Sequence, residues 1–498
     1  MAKKFLAMLG TGNYSKCKYS NGKEVVETRF SQEAIIKMHM GELTEEDEII
    51  IFVTKESKKK NWFNFLNKKV YGLKGDIQSK IKGLPEEDME KIEAILSKYE
   101  GYNDVMEENI GLEQVLNNSF KDVKKIRAID IEDGKTEEEL WDTFDKILNE
   151  IKDGDEIVFD ITHGLRSIPM QILAVINYAK AIRKNLKIKG IYYGAFEVRT
   201  NGIAPVFDLS VYGDILDWTA AANAFVNYGN SNEIYKLCEK YKADEPKKTK
   251  GIKEFAEALK VFTNCIETSR GKMVVEDDGK KINKKKSAKK SIKIAAEEVE
   301  SKFKKMCDMP DEEKEIIKPF EKLFEKIQDK MSDFNFKDNY NYNIGIATIN
   351  WCLNNNMIQN AYTALDETVK TYLCNKYGIK DNDKFYRDDT VKRAINEKNK
   401  EKNKEKNVDE DERKKKEKNE EKELIIKTIP MEIVNLAIKI SNSRNDINHF
   451  GFRDNALGCD RLEKNLNDLI KEFKAMVKKY KDIDFKTHEN DIYEWEGK

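Results

Sequence analysis

An apolar run and a glycine-bearing loop open the chain, with the sequence Phe5-Leu6-Ala7-Met8-Leu9-Gly10-Thr11-Gly12-Asn13. Five apolar residues in a row are typical of a strand that is buried on both faces, as in a parallel sheet. Comparable runs follow at 49–53, 126–131, 157–161 and 188–193. Helical patterns separate the later runs, so the alternation predicts a doubly wound, parallel α/β sheet over about the first 215 residues.

Helical periodicity replaces the strand pattern after residue 215. It recurs at 216–228, 252–268, 292–306, 341–380 and 424–482, which predicts an all-α region. The tract 396–423 consists almost wholly of Asn, Lys and Glu. That composition predicts a solvated helix or a disordered segment, and a basic RNA-binding arm is the alternative. Residues 56–120 look like a Lys-rich, mostly helical insertion.

The composition argues against several classes of protein. The 498 residues include 90 Lys and Arg against 91 Asp and Glu, a net charge of −1. No apolar run approaches the roughly 20 residues that a membrane helix needs, and the apolar start is too short for a signal peptide, so we expect a cytoplasmic protein. Balanced charge removes the usual sign of a nucleic-acid-binding domain, so any such site must be local. The seven Cys form no C-x-x-C pair, which argues against disulfides and a thiolate metal site.

The first glycine-bearing loop directly follows the first predicted strand. Gly10 and Gly12 would let the backbone turn tightly and present N–H groups to a phosphate. Any tight turn between a strand and a helix uses glycine in the same way, so a purely structural turn is the alternative. The loop also lacks the third glycine of a dinucleotide-binding fingerprint.

A second polar loop follows the predicted strand at 157–161. It contains Thr162, His163, Arg166 and Ser167, and Pro169 then opens a helix. Ligands bind at the carboxyl ends of strands in open α/β sheets, so these donors favour a phosphate-bearing ligand. The alternative is a structural histidine beside a helix-capping Asp160.

The helical pattern at 430–450 ends in a polar stretch that contains Arg444 and His449, and Gly451 is expected to stop the helix. Five residues of α-helix separate two side chains by about 7.5 Å of rise and about 140° of rotation. One helix therefore cannot easily bring both groups to one phosphate, whereas two copies packed about a two-fold axis can. The alternative is a capping Arg and a packed His at a helix end.

Arg and His are residue types that suit metal-independent RNA cleavage. Arg444 would hold the scissile phosphate and stabilise its developing charge. His449 would take the proton of the ribose 2′-hydroxyl or protonate the leaving 5′-oxygen. The expected product end is a 2′,3′-cyclic phosphate, and no metal site is predicted. Asn448 and Asp446 are candidates for supporting roles.

Four segments resemble, in their order along the chain, the CRISPR-associated Rossmann-fold sensor domain, CARF. They are residues 9–14, 130–138, 160–167 and 192–197. The resemblance covers residues 1–215 and implies a Rossmann-like domain that binds cyclic oligoadenylate as a homodimer, with one ring-shaped ligand across the two-fold axis. The ligand-binding residues expected on this basis are Gly10, Thr11, Gly12, Asn13, Tyr14, Thr162, His163, Gly164, Arg166 and Ser167.

The Arg444–His449 motif resembles that of HEPN ribonucleases, in which a polar residue such as Asn445 follows the Arg. The stretch 350–367, interpreted as one helix, resembles the helix that precedes the motif in that family. This resemblance covers residues 341–498, with the tract 396–423 as an insertion, and it leaves 216–340 as a helical linker domain. The catalytic candidates are Arg444, His449 and Asn445.

A sensor followed by a HEPN domain is the order of the CARF–HEPN ribonucleases of type III CRISPR systems. The resemblance implies an endoribonuclease of antiviral defence that cyclic oligoadenylate activates and that cleaves single-stranded RNA without a cofactor. One alternative is that the sensor also cleaves its activator, through Thr11, Asn13, Thr162 and His163. Another is a non-enzymatic regulator, although no DNA-reading helix-turn-helix is recognisable at 216–340.

Overall fold

A computed structural model gives the fold of the chain, which divides into two compact units, Met1–Leu216 and Asp217–Lys498. The described residues are 2–63, 110–163, 167–240, 246–271, 274–275, 289–310, 318–335, 341–381, 384–404 and 420–486. Most of the predicted insertion at 56–120 and the middle of the tract 396–423 lie outside these ranges.

A single eight-stranded sheet forms the centre of the first unit. Its strands are β1 Lys3–Leu9, β2 Cys17–Ser20, β3 Val25–Thr28, β4 Glu48–Val53, β5 Lys125–Asp130, β6 Glu156–Asp160, β7 Lys187–Gly194 and β8 Ile203–Asp208. Their spatial order is β3-β2-β8-β7-β6-β1-β4-β5. The five strands from β7 to β5 in that order are mutually parallel. The predicted Rossmann-like parallel sheet is therefore confirmed.

Three strands at one side of the sheet were not expected from the sequence. β2 and β3 form an antiparallel hairpin, and β8 runs antiparallel to β7. In β2, Cys17 and Tyr19 are buried while Lys18 between them is exposed. Alternating burial of this kind gives no continuous apolar run, so these strands lack the signal that marks the central ones.

Helices cover both faces of the sheet. In the first unit they are α1 Ser31–His39, α2 Leu112–Ser119, α3 Glu137–Glu150 and α4 Ile168–Ile182, and α5 Ser210–Tyr228 follows. Successive residues of β1 enter two different cores, since Phe5 and Leu9 belong to one and Leu6 and Met8 to the other. Burial on both faces explains why this strand reads as an unbroken apolar run.

The second unit is helical, as the sequence predicts. Its remaining helices are α6 Asn232–Lys240, α7 Pro246–Glu267, α8 Ile292–Cys307, α9 Glu321–Met331, α10 Asn341–Asn354, α11 Ile358–Lys376, α12 Arg393–Lys404, α13 Glu420–Thr428, α14 Met431–Asn448 and α15 Cys459–Lys479. Two short strands, β9 Val274–Val275 and β10 Lys289–Lys290, pair with each other. Among the helices that the structure describes, none is long and apolar enough to cross a lipid bilayer.

The expectation of one helix at 350–367 is wrong. This stretch belongs to α10 and α11, and the chain turns between them at residues 355–357. Asn356 adopts a left-handed conformation with φ 57°, which Asn tolerates better than most residues. The side chain of Asn355 donates to the Trp351 carbonyl at 2.7 Å and so satisfies the end of α10.

Helices α10 and α11 approach each other closely at Gly345. A Cβ atom at this position would overlap the hydroxyl of Thr368 on α11, so only glycine fits without a shift of the helices. α11 in turn packs against α14 and α15. The spacing of α10 and α11 therefore fixes the helix against which the Arg444-bearing α14 rests.

Candidate functional site

The two predicted ligand loops of the first unit lie side by side because of the strand order. From β1 the chain adds β4 and β5 on one side and β6 and β7 on the other. The crevice at the carboxyl ends of the two strands where the order reverses is the usual ligand site in open α/β sheets. Residues 10–14 follow β1 and residues 162–167 follow β6, so both loops border this crevice.

Tyr14 and His163 form a direct contact between the loops. Their rings meet edge to face with centroids 4.8 Å apart. The Tyr14 hydroxyl also accepts a hydrogen bond from the backbone N–H of Gly10 at 3.0 Å. A Cβ at Gly10 would lie 3.2 Å from that hydroxyl and 3.3 Å from the His163 Cβ, so glycine permits this close packing. Burial raises the pKa of Tyr14, which keeps its phenol neutral.

His163 is held in its neutral form. Ser31 Oγ lies 3.3 Å from His163 Nε2 and 3.4 Å from an Asp160 carboxylate oxygen. Burial lowers the pKa of His163 to about 4 and raises that of Asp160 to about 6. At pH 7 the imidazole is therefore uncharged and has one donor and one acceptor nitrogen.

Thr162 is engaged in the loop's own hydrogen bonds. Its hydroxyl donates to the Asp160 carboxylate and accepts from the backbone N–H of Gly194, at 2.8 Å from the Gly194 nitrogen. Its own backbone N–H donates to Asp160 at 2.8 Å. Thr162 thus links the end of β6 to the end of β7 and fixes the backbone position from which His163 extends.

The buried side chain of Asn61 holds the first loop by hydrogen bonds to its backbone. Asn61 Nδ2 donates to the carbonyls of Gly10 and Gly12 at 2.8 and 3.0 Å. Thr11, Gly12 and Asn13 are exposed, so this support leaves the tip of the loop open to a ligand.

The second loop is described only in part. Ser167 is exposed immediately before α4, and its side chain makes no capping hydrogen bond. Its carbonyl accepts from the backbone N–H of Gln171 at 3.0 Å. Gly164 and Arg166 lie outside the described residues, so their expected contact with a ligand stays a prediction.

Arg444 of α14 faces α11. Its Nη1 donates to Asp366 Oδ2 at 3.1 Å, and the same carboxylate oxygen lies 3.0 Å from Lys370 Nζ. The Asp366 side chain is only 8% exposed, whereas that of Arg444 is 28% exposed. The Arg444 Nε is buried and has no hydrogen-bond partner within the described ranges. The guanidinium is therefore anchored through Nη1, while the Arg444 side chain as a whole stays partly exposed.

His449 follows the last residue of α14 and is exposed. Its backbone N–H donates to the carbonyl of Asn445 at 3.0 Å, and the Asn445 side chain is partly buried. Among the described side chains, no hydrogen bond links Arg444 to His449. Arg444 is directed at α11 while His449 projects into solvent, and a site shared between two copies stays a prediction.

A cavity of about 620 Å³ borders Arg444. Its wall includes Thr363, Glu367, Thr371 and Arg387. Arg387 donates to the Glu367 carboxylate at 2.8 Å and to the Thr371 hydroxyl at 2.7 Å. Burial by itself raises the pKa of Glu367, but Lys370 and Arg387 outweigh it and lower the pKa to about 2. The cavity therefore has a charged and a polar wall next to the guanidinium.

The remaining polar candidates do not form a further site. Within the described part of the chain, no group of three or more His, Cys, Asp or Glu side chains is arranged to hold a metal ion. His39 stacks on the ring of Tyr192 at 3.8 Å, and burial lowers its pKa, so it is a packed residue of α1. His488 lies outside the described residues.

Comparison with known proteins finds a matching family for the first unit. Residues 4–197 match the family model of the CARF domain of the CRISPR system endoribonuclease Csx1. The first unit of the chain is a CARF domain of the CRISPR-associated kind. Residues 214–312 of this CARF protein match the second domain of the CRISPR-associated protein MJ1674.

The CARF protein also resembles one curated relative along much of its length. The CRISPR-associated protein MJ1674 of Methanocaldococcus jannaschii is 29% identical over 303 residues, which cover 59% of this chain and 39% of the relative. The chain thus spans about two fifths of the length of that relative. Arg444 and His449 lie beyond both matched domains, which end at residue 312.

Three residues of these sites were missed in the sequence, namely Ser31, Asn61 and Asp366. Ser31 and Asn61 lie in unremarkable polar surroundings, far along the chain from their partners. The sequence around Asp366 did indicate that this residue has a charged partner. It lies on the same helical face as Tyr362 and Val369, both buried, and a carboxylate on an apolar face needs a cationic partner.

Proposed function

We propose that this CARF protein is a metal-independent endoribonuclease of type III CRISPR antiviral defence that cyclic oligoadenylate activates. The activator binds at the loops 10–14 and 162–167. Single-stranded RNA is cleaved by Arg444 and His449, with Asn445 beside them, in a site shared by two copies of the chain. The products end in a 2′,3′-cyclic phosphate.

The observation that supports this proposal most is the arrangement at the end of α14. Arg444 is fixed by Asp366, so its guanidinium keeps a defined position from which to hold a phosphate. His449 is exposed five residues later and is free of the contacts that bury His163. The neighbouring cavity has room for a nucleotide beside Arg444.

A homodimer is supported by an apolar surface on the first unit. Met170, Tyr178 and Ile182 are exposed along one face of α4, and Trp141 is exposed on α3. The ring of Phe144 contacts both Trp141 and Tyr178, at centroid distances of 5.6 and 5.7 Å. A continuous aromatic and aliphatic surface of this kind favours association with a second copy.

Activation follows from coupling between two sites on one chain. Cyclic oligoadenylate can raise nuclease activity only if it binds more tightly to the arrangement in which the paired Arg444 and His449 residues are competent. The neutral His163 beside Gly10 suits a ligand that presents both hydrogen-bond donors and acceptors.

The test is cleavage of a fluorescent single-stranded RNA in EDTA, with cyclic tetra-adenylate, with cyclic hexa-adenylate and without either. We expect cleavage with one of the rings and its loss, by a factor of about 100 or more, in His449→Ala and in Arg444→Ala. Mass spectrometry of the 5′ fragments should give 2′,3′-cyclic phosphate ends. Cleavage that persists in His449→Ala, or that requires a divalent metal, would contradict the proposal.

A second activity is favoured by the state of His163. An uncharged imidazole can accept the proton of a ribose 2′-hydroxyl, so the first unit could also cleave its own activator with Thr11, Asn13 and Thr162 nearby. Chromatography after prolonged incubation with cyclic tetra-adenylate or cyclic hexa-adenylate tests this activity. Recovery of intact rings from the wild-type protein would refute it.

A further inference from the structure

Two exposed phenylalanines follow His449. Phe450 is 87% and Phe452 86% exposed. Their rings are nearly parallel, with an angle of 20° between the planes and 6.4 Å between the centroids. Two large apolar side chains so close together in the sequence are rarely both this exposed. We therefore expect a binding partner to cover them.

Hydrogen bonds hold the loop that carries these two rings in one conformation. The N–H of Gly451 donates to the Asp446 carbonyl at 3.1 Å and that of Phe450 to the Ile447 carbonyl at 3.0 Å, which is the Schellman pattern at the end of α14. The Asp446 carboxylate also accepts from the backbone N–H of Leu457 at 2.9 Å, so it ties the far end of the loop to the helix. The rings are therefore held outward by a closed loop.

Phe450 has an unfavourable backbone conformation for a residue with a bulky side chain. Its φ is 58°, the left-handed value that a Schellman motif requires at this position and that glycine normally supplies. Glycine follows only at position 451, where φ is 75°. Strained residues of this kind concentrate at functional sites, which favours a role for the ring itself.

We propose that Phe450 and Phe452 form a stacking platform for the bases of single-stranded RNA next to His449. This inference rests on the proposed ribonuclease function and assigns the residues that position its substrate. Bases stack on aromatic rings regardless of sequence, and successive bases in a stack are about 3.4 Å apart. The two rings are nearly parallel, with 6.4 Å between their centroids, and each offers an exposed face on which a base can stack.

Single-stranded RNA fits this surface better than a second protein copy does. The rings lie one and three residues beyond the proposed general acid or base, so a base on the platform would place its own phosphate near His449. The exposed Arg453 follows directly and can pair with the RNA backbone. The pair stands on a short loop, whereas an interface between copies needs a broad apolar surface.

The test compares binding of a fluorescein-labelled 20-nucleotide RNA to His449→Ala protein with and without further substitutions. Replacing both rings by Ala is expected to weaken binding about tenfold or more, because each stacked base contributes about that much. Replacing both by Leu should weaken it equally, since Leu keeps apolar area but cannot stack, whereas Tyr at both positions should preserve binding. Phe385→Ala, at another exposed ring, is the matched control and should bind like its parent.

Other results would overturn the inference. Binding that stays within twofold in the double Ala protein, with cleavage also within twofold when the same two substitutions are made in the protein that keeps His449, would exclude a stacking role while leaving the proposed function intact. Loss of the dimer in light scattering for the double Ala protein, with recovery in the double Leu protein, would identify the rings as an interface between copies instead. A wild-type protein that cleaves no RNA with either cyclic ring would refute the proposed function and the inference with it.

Discussion

Arg444 Nη1 donates to Asp366 Oδ2 at 3.1 Å, across two helices whose residues are 78 positions apart in the sequence. Asp366 is almost fully buried and pairs at the same time with Lys370. The buried carboxylate therefore holds a guanidinium that is itself partly exposed.

Asp366→Asn should impair both folding and the proposed nuclease. The amide leaves Lys370 with Glu367 alone and removes the charge that orients Arg444, so we expect a loss of about 3 kcal/mol in the free energy of unfolding. Cleavage with activator should fall roughly tenfold, because a slight misplacement of a phosphate-binding group costs rate. Urea denaturation and RNA cleavage measure the two effects. Glu472→Gln breaks an exposed pair with Lys439 and is the control, for which no change is expected.

Asn61→Ala should weaken binding of the activator. It removes two hydrogen bonds that hold the carbonyls of Gly10 and Gly12, so the loop loses its fixed shape. We expect affinity for cyclic oligoadenylate to fall about tenfold, while RNA cleavage at saturating activator stays unchanged. Calorimetric titration measures the affinity. Asn117→Ala removes an exposed Asn that bonds only within its own helix, and an equal loss in that variant would contradict the assignment.

His163→Asn should change how the stability of the first unit depends on pH. A pKa lowered to about 4 means that His163 stabilises the folded state above pH 6.5 and that this contribution is lost as the pH falls from 6.5 towards 4. Asp160 acts in the opposite direction, because its pKa is raised to about 6 and its burial favours folding at low pH. The two trends oppose each other in the wild type between about pH 4 and 6.

Removal of the imidazole leaves only the Asp160 trend. The stability difference between wild type and His163→Asn should shrink by about 2 kcal/mol between pH 7.5 and pH 5. Hydrogen exchange of the β1 and β6 amides in urea, corrected for the intrinsic pH dependence, measures it. A difference that is constant with pH would show that His163 is not held neutral.

Tyr178→Glu should convert the proposed dimer into a monomer. It places a charge within the aromatic surface formed with Phe144 and Trp141, and burying an unpaired charge is costly. We expect multi-angle light scattering to give half the wild-type mass, and RNA cleavage to be lost because the shared site cannot form. Val25→Glu, which changes an exposed apolar residue on β3, should remain a dimer.

The central strands could be predicted because burial on both faces gives each of them a run of consecutive apolar residues. Every residue from Phe5 to Leu9 is buried, and the run is visible without knowledge of its neighbours. The strand β2 alternates between buried Cys17 and Tyr19 and exposed Lys18, so its place in the sheet depends on β8 and cannot be read locally.

The residues expected to contact a ligand follow from the sequence, whereas the residues that position them do not. Gly10 and His163 follow recognisable strands, but the partner of Gly10 is Asn61, 51 positions away, and only the folded sheet brings the two together. The end of α14 shows a similar limit. Gly451 predicts where the helix stops, whereas the left-handed residue at the first position of the turn is Phe450, a conformation for which the sequence provides no sign.

The overlap between Gly345 and Thr368 has a consequence for how the protein can vary. Thr368 stands two residues after Asp366 on α11, so even a methyl group at position 345 would push the helix that anchors Arg444. Gly345 and Thr368 also line the cavity beside Arg444, so a larger residue at position 345 would change the placement of Arg444 and the room beside it at the same time.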